Sequence, residues 1–253
     1  MSPGVILRSC LFALFQILTT PVFALIALLT FPFEPLTRYR IISGWARLNV
    51  GAARAIGGIR YQVRGQENIP REPCIILSKH QSAWETLAYQ VILPPHVWVL
   101  KRELLRVPFF GWGLAMLSPI AIDRGAARRA LRQTLEQGRE RLKQGFSIVI
   151  FPEGTRVAPG ARGTYHAGGA WLAVQTAAPV VPIAHNAGEF WPRNAFLKRP
   201  GLVTVSIGAA IAPQGMNAGE LNSRVERWIE DEMRRISAAG KAWNPPMNAG
   251  KSR

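Results

Sequence analysis

The sequence predicts an α/β layered fold with a mainly parallel central sheet flanked by helices, preceded by a membrane-embedded N-terminal helical segment. From residue 59 onward, short runs rich in β-branched residues alternate with helix-like stretches, which is typical of α/β proteins. Some runs, such as the IVIF segment 148–151, are continuously apolar and indicate strands buried on both faces. Residues 9–33 contain no charged side chain, which indicates a membrane segment.

Three segments follow from this pattern. Residues 1–58 are predicted to form the membrane hairpin or span and an interfacial helix, residues 59–237 the α/β domain, and residues 238–253 a loose C-terminal tail. A chain of 253 residues is near the upper edge for one compact domain. Its 48% hydrophobic content is ample for a large core.

The N-terminal apolar stretch is long enough to cross a bilayer. Pro21 lies in its middle and lacks an N–H, so we expect a break there that leaves two halves of roughly 18 Å each. A bent hairpin entering one leaflet and a single span both remain open. A signal peptide is disfavoured because the apolar stretch runs too far. Arg8 before the stretch and Arg38 and Arg40 after it suit two ends on one cytoplasmic face. We therefore expect a protein of the cytoplasmic membrane whose α/β domain faces the cytoplasm.

The stretch that follows is amphipathic. Trp45, Leu48 and Ala52 can share one helix face, while Arg47 and Arg54 lie elsewhere. A helix lying in the membrane interface and a helix packed on the protein core both fit this pattern.

Strands and helices of the α/β domain follow from periodicity and length. Strands are predicted at residues 59–64, 74–78, 97–101, 119–122, 147–151, 180–184 and 202–208. Helices are predicted at residues 83–92, 103–117, 126–144, 168–177 and 218–237. Asn217 with Glu220 is typical of the N-terminal cap of the last helix.

The charge balance favours anionic partners. The chain carries 31 Lys and Arg against 15 Asp and Glu, a net charge of +16, which suits nucleic acid, an anionic membrane or a phosphorylated substrate. Nucleic acid is disfavoured as a partner because no aromatic-basic platform or helix-turn-helix signature appears. Cys10 and Cys74 have no metal spacing and suggest a reducing compartment. We predict no metal and no cofactor.

Polar side chains follow several predicted strands. His80 follows the strand 74–78, Asp123 and Arg124 follow 119–122, Glu153 to Arg156 follow 147–151, and His185 follows 180–184. In parallel sheets, sites form outside the carboxyl ends of the strands. These groups are therefore expected to converge on one edge of the sheet.

His80 is the candidate general base, which would take a proton from a hydroxyl group. A carboxylate at its other ring nitrogen would set the tautomer and stabilise the imidazolium. Glu85 is the candidate, although Ser82 with Glu85 also fits a capping box that only satisfies a helix start. No G-x-S-x-G elbow is present, which favours direct attack by a substrate hydroxyl. Arg124 and Arg156 offer bidentate forks for phosphate.

Four sequence blocks together resemble the glycerolipid acyltransferase family over roughly residues 60–210. They are an H-x4-acid block from His80 to Glu85, an I-D-R block at 122–124, an F-P-E-G-T-R block at 151–156 and a V-P-I block at 181–183. The third block, which follows a strand, is the most specific. The family usually has Asp where this chain has Glu85, so the extra methylene must be absorbed by a shift of the helix or of His80.

The resemblance implies transfer of a fatty acyl group from acyl-CoA or acyl carrier protein to the sn-2 hydroxyl of lysophosphatidate, which would give phosphatidate at a membrane. His80 would be the base and Glu85 its orienting acid. Residues implied to bind the acceptor's glycerol phosphate are Arg124, Glu153, Gly154, Thr155 and Arg156. Residues implied to shape the acceptor or acyl site are Val181, Pro182 and Ile183.

Other interpretations remain open. A sister acyltransferase could use glycerol 3-phosphate, another lysophospholipid or an aminolipid, and a non-catalytic lipid-binding protein could share the fold. Phe109, Phe110 and Trp112 are candidates for an acyl groove or for core packing. The remaining histidines are expected to be structural or peripheral, namely His96, His166 and His185.

Overall fold

A computed structural model describes residues 2–122 and 127–238, with backbone alone for 127–130. The helices are α1 Pro3–Leu29, α2 Pro35–Ala55, α3 Trp84–Ile92, α4 Phe110–Met116, α5 Ala127–Lys143, α6 Gly168–Thr176 and α7 Ala218–Ile236. The strands are β1 Ile59–Arg64, β2 Ile75–Ser78, β3 His96–Lys101, β4 Ile120–Ile122, β5 Ser147–Ile150, β6 Val180–His185 and β7 Gly201–Ile207. Each predicted strand is present, with ends that differ by no more than one residue. The division into segments 1–58, 59–237 and 238–253 stays a prediction.

The seven strands form one sheet in the order β1-β7-β6-β2-β5-β3-β4. All neighbouring pairs are parallel except β6 and β7. Leu77 at the centre pairs with Ile150 of β5 on one side and Pro182 of β6 on the other. The carboxyl ends of β2, β5, β6, β3 and β4 therefore lie at one edge, as the mainly parallel fold requires.

Helices cover both faces of the sheet. On one face α2 and α3 pack over side chains such as Ile76, Val149 and Val181, and on the other α6 and α7 pack over Ile75 and Leu77. Because successive side chains of a strand point to opposite faces, continuously apolar strands supply both layers. α7 begins at the predicted cap, where Asn217 and Glu220 form a complete capping box.

The helix predicted over residues 103–117 is wrong as one element. A 3₁₀ helix at Arg102–Arg106 is followed by α4, and Pro108 lies between them. Phe109 has a φ of 60°, which lies outside the range of a right-handed helix. The chain therefore turns at Pro108 and Phe109 before α4 begins.

The break predicted at Pro21 is also wrong. α1 continues through Pro21 as one helix of 27 residues, roughly 40 Å long. The hydroxyls of Thr19 and Thr20 donate to the carbonyls of Phe15 and Gln16, so local side chains supply hydrogen bonds next to the proline. Neighbouring Ser and Thr side chains make such prolines tolerable in apolar helices.

α1 is long and apolar enough to cross a membrane, by length and composition. It nevertheless lies along the α/β domain. Near its start, the Ser9 hydroxyl accepts a hydrogen bond from the Lys198 N–H, and the Phe12 ring packs edge-on against Trp191 at 5.2 Å. Near its end, Ala27 is fully buried against α4. The opposite face is apolar and exposed, with Leu7, Leu11, Leu14, Ile17, Leu18, Val22, Leu25 and Leu29.

α2 returns antiparallel to α1 after a short turn and packs on the domain core. Tyr39, Ile42, Ala46, Val50 and Ala53 are buried, so the helix packs on the core. The predicted face is wrong in position, since Leu48 is exposed and Trp45 and Ala52 are only partly buried. Contact of the same helix with the membrane interface stays a prediction.

An arginine row runs along the outer face of α2. Arg40, Arg47 and Arg54 are exposed and recur every seven residues, which places them on one line of the helix. A Cβ at Gly44 would lie 3.7 Å from the Phe23 ring of α1 and 3.9 Å from the Arg47 guanidinium. The arginine row therefore runs beside α1.

Candidate active site

The loop after β2 holds the two candidate catalytic side chains together. His80 follows the last strand residue by two positions, and Glu85 lies in the first turn of α3. The His80 Nδ1 is 2.9 Å from the Glu85 Oε1. Because a carboxylate only accepts, this contact places the imidazole proton on Nδ1 and leaves the Nε2 lone pair free to act as a base.

Glu85 also caps the helix start. Its Oε1 accepts the backbone N–H groups of Gln81 at 3.0 Å and Ser82 at 2.8 Å. The capping and dyad interpretations of Glu85 are therefore compatible in geometry, because one oxygen serves both. The extra methylene relative to Asp is accommodated within this short loop.

The carboxyl of Glu85 stays ionised although it is buried. Burial alone would raise its pKa, but the adjacent His185 ring, the hydrogen bond from His80 and the Ser82 N–H outweigh it. The pKa of Glu85 consequently lies below its ordinary value. A fixed negative charge beside His80 stabilises the imidazolium that proton abstraction would create.

His185 is a structural partner of the loop. Its Nε2 is 2.8 Å from the Lys79 carbonyl, and its Nδ1 accepts the Ala187 N–H at 3.2 Å. Burial lowers the pKa of His185, and the charge of the nearby Glu85 carboxylate opposes this shift. His96 is likewise buried, with its pKa lowered to about 4 by burial, and His166 is exposed.

The His80 ring opens on a cavity of about 320 Å³ whose walls are mostly apolar. The ring stacks on Phe151 at 3.9 Å between centroids. From there the cavity runs beneath α4 and α3 to α1, where Phe23 and Ala24 form part of its wall. Phe109 and Phe110 line the cavity, and Trp112, which does not line it, contacts Phe109 at 5.0 Å between ring centroids.

Three cations line the same cavity near His80. They are Lys101 at the end of β3, Arg156 of the F-P-E-G-T-R block and Arg193. The Arg193 guanidinium donates to the Arg156 carbonyl at 3.1 Å. Within residues 2–122 and 131–238, none of the three forms an ion pair with a carboxylate. Uncompensated positive charge at a cavity favours an anionic ligand.

The other predicted site residues fall into different places. Gly154, Thr155 and Arg156 line the cavity. Glu153 is buried behind them and does not line it, bonded to the main chain and to Lys79. The three residues of the V-P-I block, Val181, Pro182 and Ile183, are buried within β6 and do not line it either. Arg124 lies outside the described residues.

Sequence reasoning missed Lys79, Lys101 and Arg193. Lys101 carries the same signal as the predicted groups, since it ends a parallel strand at the same edge. Lys79 stands beside His80 in the sequence, yet its burial shows only in three dimensions. Among the described residues, no group of three or more His, Cys, Asp or Glu side chains could hold a metal ion.

Comparisons with known proteins agree with this geometry. A family model described as Acyltransferase matches residues 60–186, half of the chain. A 1-acyl-sn-glycerol-3-phosphate acyltransferase of Pseudomonas aeruginosa is 46% identical over 242 residues, 94% of each chain. The 1-acyl-sn-glycerol-3-phosphate acyltransferase alpha of Homo sapiens is 30% identical over 195 residues, 73% of this chain and 67% of its own.

A solved structure shares the fold. The crystal structure of the 1-acyl-sn-glycerophosphate (LPA) acyltransferase, PlsC, from Thermotoga maritima matches with a TM-score of 0.73 at 24% identity. The match covers 91% of this chain and 94% of that chain.

Replacing Glu85 by Gln should separate its two roles. The amide carbonyl oxygen of the Glu85→Gln variant can still accept the loop N–H groups, so the fold should survive, but the negative charge beside His80 is lost. We expect acyl-transfer turnover to fall by about 10²-fold or more, since a base of this kind contributes about 10²–10⁴. The measurement is kcat beside a thermal melt, with Glu85→Asp as the control that keeps the charge. Near-normal turnover of Glu85→Gln would reduce Glu85 to a helix cap.

Proposed function

The chain belongs to the acyltransferase family, and we propose that it transfers a fatty acyl group from a thioester to the sn-2 hydroxyl of lysophosphatidate, giving phosphatidate. One observation carries this proposal. A His80–Glu85 pair opens on a mostly apolar cavity that also holds three cations without a carboxylate partner among the described residues. That combination suits an acceptor with a hydroxyl, an acyl chain and a phosphate monoester.

The chemistry needs one base and no covalent enzyme intermediate. The His80 Nε2 takes the proton of the sn-2 hydroxyl as its oxygen attacks the thioester carbonyl carbon. The tetrahedral intermediate then collapses, the carbon–sulfur bond breaks, and the imidazolium returns the proton to the departing thiolate. The ester and a free thiol are the products, and His80 is neutral again.

Glu85 and Phe151 fix the ring that performs these steps. Glu85 holds the Nδ1 proton and offsets the positive charge of the imidazolium. Phe151 stacks on the ring face and limits its rotation. The Nε2 atom is therefore aimed at one region of the cavity, which is what orientation of a hydroxyl requires.

The cations near His80 support a phosphate as the headgroup of the acceptor. Arg156 offers a bidentate fork, and Lys101 and Arg193 add positive charge on the same cavity. By its motif, Arg124 would join them. Gly154 and Thr155 line the same cavity. Glu153, which does not line the cavity, would then support these residues from behind without contacting the acceptor.

The apolar part of the cavity suits a hydrocarbon chain. Side chains such as Leu100, Leu104 and Leu114 line it, and it runs to the membrane-facing helix α1. Either acyl-CoA or acyl carrier protein would serve as donor, because both are acidic and the chain has a net charge of +16.

A single leaflet is the proposed location, with the α/β domain on the cytoplasmic face. α1 is attached to that domain from Ser9 to Ala27, so its exposed apolar face would enter lipid sideways while the domain stays at the interface. Exposed Leu104, Val107 and Phe110 extend this apolar surface. The arginine row of α2 beside it would meet lipid phosphates.

The direct test is acyl transfer from oleoyl-CoA to lysophosphatidate by detergent-purified protein, wild type beside His80→Ala. We expect phosphatidate from the wild type and a loss of about 10²–10⁴ in the variant, because the base is gone. Equal rates in both would exclude His80 as the base. A folded wild type that acylates glycerol 3-phosphate or another lysophospholipid instead would identify a sister acyltransferase. Product only from acyl carrier protein would identify the donor.

Arg156→Ala should weaken binding of the acceptor. A lost charged hydrogen bond is worth about 1.5–3 kcal/mol, so we expect the KM for lysophosphatidate to rise by about 10- to 100-fold while the KM for the donor changes less. Arg162→Ala is the matched control, since that guanidinium pairs with Glu226 on the surface and does not line the cavity. A parallel rise for both substrates, or the same effect from the control, would contradict phosphate binding by Arg156.

Removing the arginine row should weaken membrane contact. Each basic residue near an anionic leaflet is worth about 1 kcal/mol, so Arg40→Ala/Arg47→Ala/Arg54→Ala should bind phosphatidylglycerol vesicles about 10²-fold less tightly. The loss should shrink at high salt and in phosphatidylcholine vesicles. Arg224→Ala/Arg227→Ala, on the exposed face of α7 across the sheet, is the control. Equal losses for both variants in a vesicle co-sedimentation assay would remove α2 from the contact surface.

A further inference from the structure

A buried lysine stands directly before the candidate base. The Lys79 side chain is 1% exposed, and its Nζ lies 2.7 Å from the Glu153 Oε1 and 2.8 Å from the Glu230 Oε1. It also donates to the Ala161 carbonyl at 3.3 Å. One ammonium therefore joins the end of β2, the F-P-E-G-T-R block and α7.

Glu153 transmits this contact to His80. Its second oxygen, Oε2, accepts the backbone N–H of His80 at 3.1 Å, while Oε1 also accepts the Gly163 N–H at 3.2 Å. Its side chain is fully buried. The Oε1 atom of Glu153 thus binds the Lys79 ammonium, and the Oε2 atom binds the backbone N–H of His80.

The remaining main-chain groups around His80 are fixed as well. The Lys79 N–H donates to the Ile183 carbonyl and the His80 carbonyl accepts the Val157 N–H, at 2.9 and 2.8 Å. These bonds orient the peptide but carry no charge. Glu153 and Lys79 are the ionic part of the same support, and removing one partner of a buried ion pair leaves the other charge uncompensated.

Lys79 does not touch the cavity that holds His80. It is absent from the cavity lining, and its ammonium instead borders a pocket of about 50 Å³ beside α7. A phosphate or thioester in the catalytic cavity therefore meets other residues. A role of Lys79 in turnover has to be exerted through its neighbours.

We propose that Lys79 is a positioning residue, which acts through Glu153 to hold the backbone of His80 so that its ring keeps the reactive geometry, with Glu230 of α7 completing the support. This rests on the proposed function in one respect, namely that His80 is the base. A displacement of about 1 Å at a reacting group can cost about 10²-fold in rate.

Loss of the lysine should act on His80 through Glu153. Lys79→Met leaves Glu153 and Glu230 facing each other without the ammonium that both contact. Like charges repel at such a distance, and a displaced Glu153 would release the His80 N–H. The groups that face this pair from the packed elements are His80, His185, Tyr165, whose OH donates to Glu230, and the Arg162–Glu226 pair.

The experiment compares wild type, Lys79→Met, Glu230→Gln and the double variant Lys79→Met/Glu230→Gln across pH 6–9. We expect kcat of Lys79→Met to fall by about 10- to 100-fold near neutral pH with both KM values little changed. The pH profile of Lys79→Met should also differ from that of the wild type, because a buried positive charge behind His80 is removed. The double variant, which has one carboxylate fewer, should recover part of the loss.

Lys198→Met is the matched control. Lys198 is also buried, but it donates to the Phe196 carbonyl and lies among aromatic rings. Its removal should lower the melting temperature without moving the pH profile. A folded Lys79→Met with wild-type kcat and pH profile would overturn the proposal. If Lys79→Met does not fold, the double variant Lys79→Met/Glu230→Gln tests the proposal instead. A pH profile of the double variant that overlays that of the wild type would then overturn the proposal.

Failure of the proposed function has a different signature. If wild type yields no phosphatidate, the His80 imidazole NMR signals, assigned with His80→Ala, still report on positioning. They should shift in Lys79→Met and return towards wild type in the double variant. Unchanged signals in Lys79→Met would overturn the proposal whatever the substrate is.

Discussion

The loop after β2 must satisfy its polar backbone in a place where water does not reach, and two buried carboxylates do this. Glu85 accepts the N–H groups of Gln81 and Ser82, and Glu153 accepts that of His80. Unsatisfied buried backbone groups are costly, so acceptor oxygens are needed at these two positions for the fold itself. The imidazole of His80 is a further donor to Glu85. The candidate base is thus part of the hydrogen bonding that holds the loop.

The cavity beside His80 combines an apolar part with a positively charged part. Parallel strands deliver His80, Arg156 and Lys101 to one edge of the sheet, and α1, α3 and α4 roof the space next to it with apolar side chains. Positive charge and hydrocarbon therefore meet within one cavity. A lipid with a charged head and a single tail has the same division, and electrostatic effects at the reacting atoms are strong where water is excluded.

Much of the fold was accessible from sequence, since continuously apolar strands and amphipathic helices have distinct periods. Periodicity predicts all seven strands. The residue types Asn217 and Glu220 predict the cap of the last helix. The errors have local causes. The helix continues through Pro21, with threonine hydroxyls bonded to carbonyls in the preceding turn, and Pro108 divides a stretch whose hydrophobic pattern is continuous.

The candidate site was only partly predictable. Strand ends and motif spacing predict His80, Glu85 and Arg156. In the structure His80 and Arg156 line one cavity, and Glu85 contacts the His80 ring. The burial of Lys79 could not be predicted from the sequence, because its partner Glu230 lies 151 residues further along the chain. Arg193 belongs to an irregular segment with no periodicity from which its position could be inferred.

The course of α1 has a practical consequence for work on this protein. Phe12 and Ala24 bury themselves against the domain, and Thr20, Phe23 and Ala24 form cavity wall. Trimming the apolar N-terminus to obtain a water-soluble fragment would uncover core side chains and open the lipid compartment to solvent. The apolar segment is also one wall of the candidate cavity, so solubility has to come from a detergent or nanodisc rather than from a shorter chain.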